Sequence, residues 1–372
     1  MTDDELACAA ALLDLPGMTP VRLARLLDGF GPRLAWRAVR SGTHPGDRER
    51  RFRIGARRVD PGQVLARYRA AGVSVLLPDE VGYPAGLVGD PGAPAVLTAI
   101  GDPASTEARP AVAVVGTRSA TRYGTSVAAE LGRGLAASGV VVVSGLAIGI
   151  DAAAHAGALD AGAGAAPPVA VVGTGLDVVY PTANRALWEA VARRGSVLSE
   201  AALGTPARPR VFPARNRIIA ALADIVVVVE CHGRGGSLHT VEAAARRGIP
   251  VGAVPGSVRS PASRGTNGLL VDGCMPVRDV DDVLTAVSLT RGGRAIAPAG
   301  SRPSGGGGRS DGPVAGLGRV ERAVWEVLDD TPTTVETVLL RTGLSLGAVG
   351  LAVGGLEERG LVVAGAGWWS RA

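Results

Sequence analysis

The chain has no lysine: its 39 basic side chains are all arginine, set against 34 carboxylates. That absence excludes a Walker-type phosphate lysine and a Schiff-base lysine, and with them nucleotide hydrolysis of the P-loop kind. A GC-rich coding sequence accounts for it without any appeal to function. Cysteine is scarce as well. Cys8, Cys231 and Cys274 are too widely spaced for a disulfide framework or a zinc pattern, so no metal is expected. Aromatic residues make up only 3% of the chain. Glycine, proline or charge interrupts every apolar run before it reaches membrane-spanning length. The opening Met-Thr-Asp-Asp-Glu lacks the basic start of a signal peptide, and a cytoplasmic protein is expected.

What is present is a large apolar fraction with a modest positive balance. Of 372 residues, 47% are hydrophobic, and the net charge is +5. Mean hydropathy is +0.24 and the isoelectric point is near 9.7. A chain this long holds two or three domains, and its charge is compatible with a polyanionic partner. Residues 1–75 alternate helical patterns with breaks. The stretch from Leu15 to Leu27, with Pro16-Gly17 at its turn, resembles a helix-hairpin-helix, although an ordinary αα-hairpin fits it too. Residues 76–110 read as proline- and glycine-rich connecting chain. From Ala111 onward β and α patterns alternate, with strands expected at 111–116, 140–144, 168–173, 195–199, 224–230 and 250–254. Continuous runs such as Ile225–Val229 mark strands buried on both faces, hence a doubly wound parallel α/β sheet over residues 76–290. Residues 291–316 read as a linker. Residues 317–372 show helix, glycine turn, Ser-capped helix and strand, which resembles a winged helix-turn-helix. The helix expected near 346–358 carries two glutamates and no arginine before its end.

Two βα turns carry the chemistry. Gly116-Thr-Arg118-Ser119 follows the first strand of the sheet, and Ser144-Gly145 leads to Gly149-Ile-Asp151 after the second. Glycine lets an anion approach the backbone, Ser119 or Thr121 can cap the next helix, and Arg118 can clamp an oxygen. Residues 185–217 hold seven arginines against two glutamates. Within them, Phe212-Pro-Ala-Arg215-Asn216-Arg217 sets two guanidinium groups beside a helix start, with Phe212 free to stack on a base. Gly235-Gly236-Ser237 forms a further turn of the same kind after Glu230. Gly173 and Gly175 lack the third glycine of a dinucleotide fingerprint, so neither NAD nor any other cofactor is expected. His155 reads as a partnered helix histidine, and no catalytic constellation emerges.

These residues resemble the DNA-processing protein A (DprA/Smf) family. The blocks Val114-Val-Gly-Thr-Arg118, Ser144-Gly-Leu-Ala-Ile-Gly-Ile-Asp151, Tyr180-Pro181…Asn184, Phe212-Pro-Ala-Arg-Asn-Arg217 and Gly236-Ser237 run in family order. The resemblance implies a dimeric Rossmann-like protein that holds single-stranded DNA in a basic pocket and helps load RecA recombinase during transformation or recombination. Carried over by motif, backbone binding falls to Arg118, Ser144, Gly145, Arg217, Gly236 and Ser237, joined by Arg185 and Arg215. Two departures stand out: Ile148 occupies a common arginine position, and Gly235 a common serine position. The rival is a nucleoside 5′-monophosphate phosphoribohydrolase, whose catalytic glutamate would fall at Thr240, with Glu242 two residues on. A third possibility is a duplex-DNA regulator acting through the C-terminal unit.

Overall fold

Local signals start the N-terminal helices. The Thr2 hydroxyl accepts from the Glu5 amide while the Glu5 carboxylate accepts from the Thr2 amide, opening α1 (Asp3–Leu13) with a capping box. Thr19 and Asp60 cap α2 (Pro20–Leu27) and, after α3 (Pro32–Ser41) and α4 (Arg53–Arg58), α5 (Pro61–Ala70). The protein is described here by a computed structural model covering residues 2–78, 80–106, 109–209, 211–233, 235–291, 317–328, 333–365 and 368–371. Arg210, Arg234 and the expected linker after Arg291 lie outside the described residues. The described residues up to Arg291 form one compact unit, and those from Leu317 a second.

The first unit is built on a nine-stranded sheet. Its strands are β1 (Ser74–Leu76), β2 (Leu97–Gly101), β3 (Ala111–Val115), β4 (Val141–Ser144), β5 (Val169–Val172), β6 (Ser196–Ser199), β7 (Ile225–Val228), β8 (Val251–Ala253) and β9 (Met275–Pro276). They lie in the order β1-β2-β6-β5-β4-β3-β7-β8-β9. The chain winds outward from β3 to β6, returns to β7 beside β3, and winds the other way to β9. All six strands expected from the sequence are present, in parallel register from β6 through β9. The expectation of a wholly parallel sheet is corrected at one edge. β1 and β2 fall around the stretch read as connecting chain and pair antiparallel, β2 against β6. They are short and bounded by proline and glycine, so their alternation is hard to see in the sequence.

Alternation along the central strands sorts their side chains to two faces. Val112 and Val114 of β3, with Val142 and Val227, pack under α6 (Arg122–Ala137), α7 (Ile150–Asp160) and α12 (Val280–Thr290). Ala113, Val115, Val143 and Val226 face α9 (Val211–Ala221) and α10 (Gly236–Ala245). Between these elements come α8 (Arg185–Arg194) and α11 (Arg264–Val271). The N-terminal helices have no separate core: Leu12, Trp36 and Tyr68 share one with Val172, Val197 and Trp188.

The second unit comprises α13 (Arg319–Val327), β10 (Thr333–Thr334), α14 (Val335–Thr342), α15 (Leu346–Glu358), β11 (Val362–Gly365) and β12 (Trp368–Arg371). Ser345 caps α15, and Gly343 ends α14 at φ 65°, in the left-handed region. Val324, Val338, Val349 and Leu356 fill its core.

Helices α6 and α7 approach closely because glycine lines the contact. A Cβ at Gly157 would fall deep inside the van der Waals envelope of the Ala129 carbonyl oxygen, and one at Gly132 inside that of Ala154. Gly157→Ala is therefore expected to cost about 1–3 kcal/mol of folding stability, read as a lower urea midpoint.

Candidate functional site

The C-terminal ends of β3, β4 and β7 open onto a cleft of about 780 Å³. It lies where the winding direction of the sheet reverses, the position at which open α/β sheets bind ligands. Gly116, Arg118, Phe212, Arg215, Asn216, Gly235, Gly236 and Ser237 all line it, so most of the residues singled out from the sequence converge. Tyr180, Arg208, His232, His239, Thr240 and Glu242 complete much of its wall.

The exposed wall is a cation–aromatic stack. The Arg118 guanidinium lies 4.9 Å from the centre of the Phe212 ring. Phe212 in turn meets Tyr180 at 5.4 Å, tilted by 35°. Arg118 is exposed, and Tyr180 is 41% exposed, so both present faces to a ligand. Opposite them, Gly235 precedes α10 in extended backbone, and no side chain caps the first turn. The amides of Gly236 and Ser237 thus begin a helix beside the cleft, with its positive dipole end. Asn216 fixes that turn to α9 by donating from Nδ2 to the Gly236 carbonyl at 2.8 Å.

Beneath the stack lies a buried charge pair. Arg215 is only 5% exposed; its Nη1 donates to the Val171 carbonyl, and its Nη2 stands 3.7 Å from the Asp151 carboxylate. Burial raises the Asp151 pKa, opposed by Arg215 and by the backbone amides of Ala147 and Gly145. Burial likewise lowers that of Arg215, opposed by Asp151. Arg215 was expected as an anion clamp; it is instead a structural cation under the cleft floor, pressed against the α-carbon of Gly145.

Several other expected residues stand elsewhere. Ser144 is fully buried and its hydroxyl donates to the Val114 carbonyl at 2.7 Å, so its side chain ties β4 to β3. Gly145 is occupied by Arg215, while Gly116 lines the cleft; a Cβ at Gly116 would lie 2.6 Å from Ile150 Cγ1, so packing by itself calls for glycine at both positions. Ser119 is exposed, outside the lining, and its amide donates to Thr117. Thr121, not Ser119, caps α6. Arg185 is an exposed first residue of α8, also outside the lining. Ile148, at the common arginine position, is 46% exposed and does not line the cleft either. Arg217 departs furthest from expectation. Its guanidinium makes a two-pronged pair with Glu200, at 2.7 and 2.6 Å, away from the cleft lining.

The sequence reading missed two carboxylates. Glu200 holds Arg217, while Glu230, 1% exposed, accepts from the Thr121 amide at 2.9 Å and hydroxyl at 2.6 Å. Glu230 thereby locks the turn that carries Arg118. Its signal was available: a lone acid closing the run Ile225–Val229 has no business in a buried strand without partners. His155 is fully buried on α7, with its ring against the backbone of Ser144. Among the described residues no cluster of His, Cys, Asp or Glu could hold a metal.

A doubly wound α/β protein with an arginine–aromatic cleft at its switch point is the class this geometry defines. The family model for DNA recombination-mediator protein A matches residues 74–288, and the chain belongs to that family. The DNA processing protein DprA of Mycobacterium tuberculosis is 40% identical over 279 residues, 74% of this chain and 68% of that protein. Protein Smf of Synechocystis is 31% identical and covers 97% of both chains. The X-ray structure of DNA processing protein A from Streptococcus pneumoniae aligns over 77% of this chain and 98% of its own, with TM-score 0.64 and 32% identity. A Helicobacter pylori DNA processing protein A, whose structure concerns its single-stranded DNA binding mode, aligns with TM-score 0.51 and 28% identity, over 59% and 96%.

Two outcomes follow from the buried groups. Burial pushes the His155 pKa down to about 4, so the folded state holds the ring neutral. The unfolded chain takes up the proton below about pH 6.5, so stability is full above that pH and falls as pH drops toward 4. The loss should approach about 3 kcal/mol in urea titrations, and His155→Leu should flatten it. Arg217→Ala strands the buried Glu200 carboxylate and should cost about 1–3 kcal/mol of stability in the same assay.

Proposed function

We propose that this chain is a Rossmann-like single-stranded DNA-binding protein with a winged-helix-like C-terminal unit. It protects incoming strands and helps load RecA recombinase onto them in transformation or recombination, acting as a homodimer. The observation that carries the reading is the Arg118–Phe212–Tyr180 stack facing the amides of Gly236 and Ser237. A guanidinium and a helix start attract phosphate, and the rings offer π-faces to bases of any identity. Such a site binds without sequence preference and weakens steeply with salt. The names of the matched relatives support the same reading.

The hydrolase alternative has one observation in its favour. Glu242 lines the cleft, with His239 Nδ1 3.6 Å from its carboxylate. Release of base from AMP by the pure protein, lost in Glu242→Ala, would favour it. The third reading, duplex binding by the C-terminal unit, meets an unsuitable surface. The exposed side of α15 carries Leu346, Leu351, Glu357 and Glu358.

Arg118→Ala and Phe212→Ala are each expected to weaken binding of a single-stranded oligonucleotide by about 1–3 kcal/mol, measured by fluorescence anisotropy. Wild-type affinity in both variants would remove the cleft as the binding site.

A further inference from the structure

We propose that the N-terminal helical region carries a second nucleic-acid site, one that grips the phosphates of duplex DNA independently of the cleft. Residues 1–75 hold thirteen arginines against eight carboxylates, an excess equal to the whole chain's net +5. Its position along the chain concentrates that excess. Three acids of the first helix and its end are consumed by distant arginines, Asp3 by Arg69, Asp4 by Arg33 and Asp14 by Arg67. Asp47 is buried and accepts from the Arg51 and Phe52 amides at 2.9 and 3.1 Å. Between Arg48 and Arg58 there remain six arginines and one acid, Glu49, which meets Arg51 at 3.5 Å. Arg48, Arg50, Arg57 and Arg58 are exposed and make no ion pair among the described residues.

The backbone holds this face outward. The carboxylate of Asp47 closes the turn that carries Arg48, Arg50 and Arg51. Arg50 sits at φ 52°, in the left-handed region that L side chains rarely adopt. An arginine held where glycine would be relaxed is a local conflict of the sort that marks functional positions. Arg53 adds a buried Nε with no hydrogen-bond partner. Helix α4 lies against the hairpin between α1 and α2: a Cβ at Gly55 would stand 3.3 Å from Leu15 Cδ2 and 3.6 Å from Pro16 Cδ. The exposed turn at Pro16-Gly17 therefore lies beside α4.

Chemistry selects a duplex. Single-strand sites pair cations with exposed rings on which unstacked bases lie, as the cleft does. Here Trp36 and Phe52 are 4% and 5% exposed, Tyr68 is fully buried, and Phe30 stacks on His44 at 4.6 Å. Arginines with no ring among them suit a backbone whose bases are already paired and stacked. The proposal does not depend on the cleft reading, because the two sites share no residue.

The test uses the full chain, a labelled random-sequence duplex and a labelled single strand, with anisotropy read across a salt series. In the variant Arg48→Ala/Arg50→Ala/Arg57→Ala/Arg58→Ala, duplex affinity should fall at least about tenfold at 0.1 M salt, and its log–log salt slope by up to about 3.6. Single-strand affinity should stay within about twofold. The four-lysine variant at the same positions keeps the charge and should retain duplex binding, which separates loss of contact from loss of fold. Arg118→Ala/Phe212→Ala should give the reverse pattern, and excess unlabelled single strand should leave the duplex bound. Duplex affinity unchanged in the alanine variant would overturn the proposal. So would displacement of the duplex by single strand, equal loss of both ligands, or a wild-type chain with no duplex affinity.

Discussion

The cleft depends on one guanidinium buried in its floor. Arg215 comes from α9, meets Asp151 of α7, and donates to the carbonyl of Val171 on β5. Three elements from three points of the chain are thereby pinned under one charge. Taking two charges out of water costs several kcal/mol before their attraction returns any of it. That cost is accepted where a fixed geometry is needed, and here the same helix carries Phe212 above and Asn216 beside it. Asn216 holds the start of α10; Phe212 holds Arg118. Loosening Arg215 would thus release both walls of the cleft together. Glu230 does the equivalent task on the opposite side, through the turn before α6.

The central sheet was legible because its strands are buried on both faces, so valine runs in them without interruption. β1 and β2 were not, because each is short, lies at an edge, and sits among prolines and glycines. The site divides along a different line. Which residues converge could be read from motif order, since turns after successive parallel strands must meet at one end of the sheet. What each arginine does there could not be read. Arg118, Arg215 and Arg217 look alike in sequence, yet one is exposed on a ring, one is buried against a carboxylate, and one is tied to Glu200. The deciding partners, Asp151 and Glu200, lie 64 and 17 positions from their arginines. No local pattern announces a pair of that span. Glycine was ambiguous in the same way: Gly116 and Gly145 are small because Ile150 and Arg215 press on them, whatever else passes near.

An arginine-only chain faces a problem that a lysine-bearing one avoids. Every guanidinium is permanently charged and offers a rigid fork, so any exposed arginine is a potential phosphate ligand. Discrimination must then come from the carboxylates. In the first unit they are spent selectively: Asp151, Glu200, Asp90 and Asp224 take Arg215, Arg217, Arg247 and Arg291. Those pairs silence cations that hold the fold together. Arg118 has a ring in place of an acid, and Arg48, Arg50, Arg57 and Arg58 have no acid at all among the described residues. Ring contact leaves the charge available, because a quadrupole stabilises a cation without neutralising it. Where the acids stand therefore decides which arginines serve the fold and which keep their charge unneutralised, and the arginines alone do not reveal it.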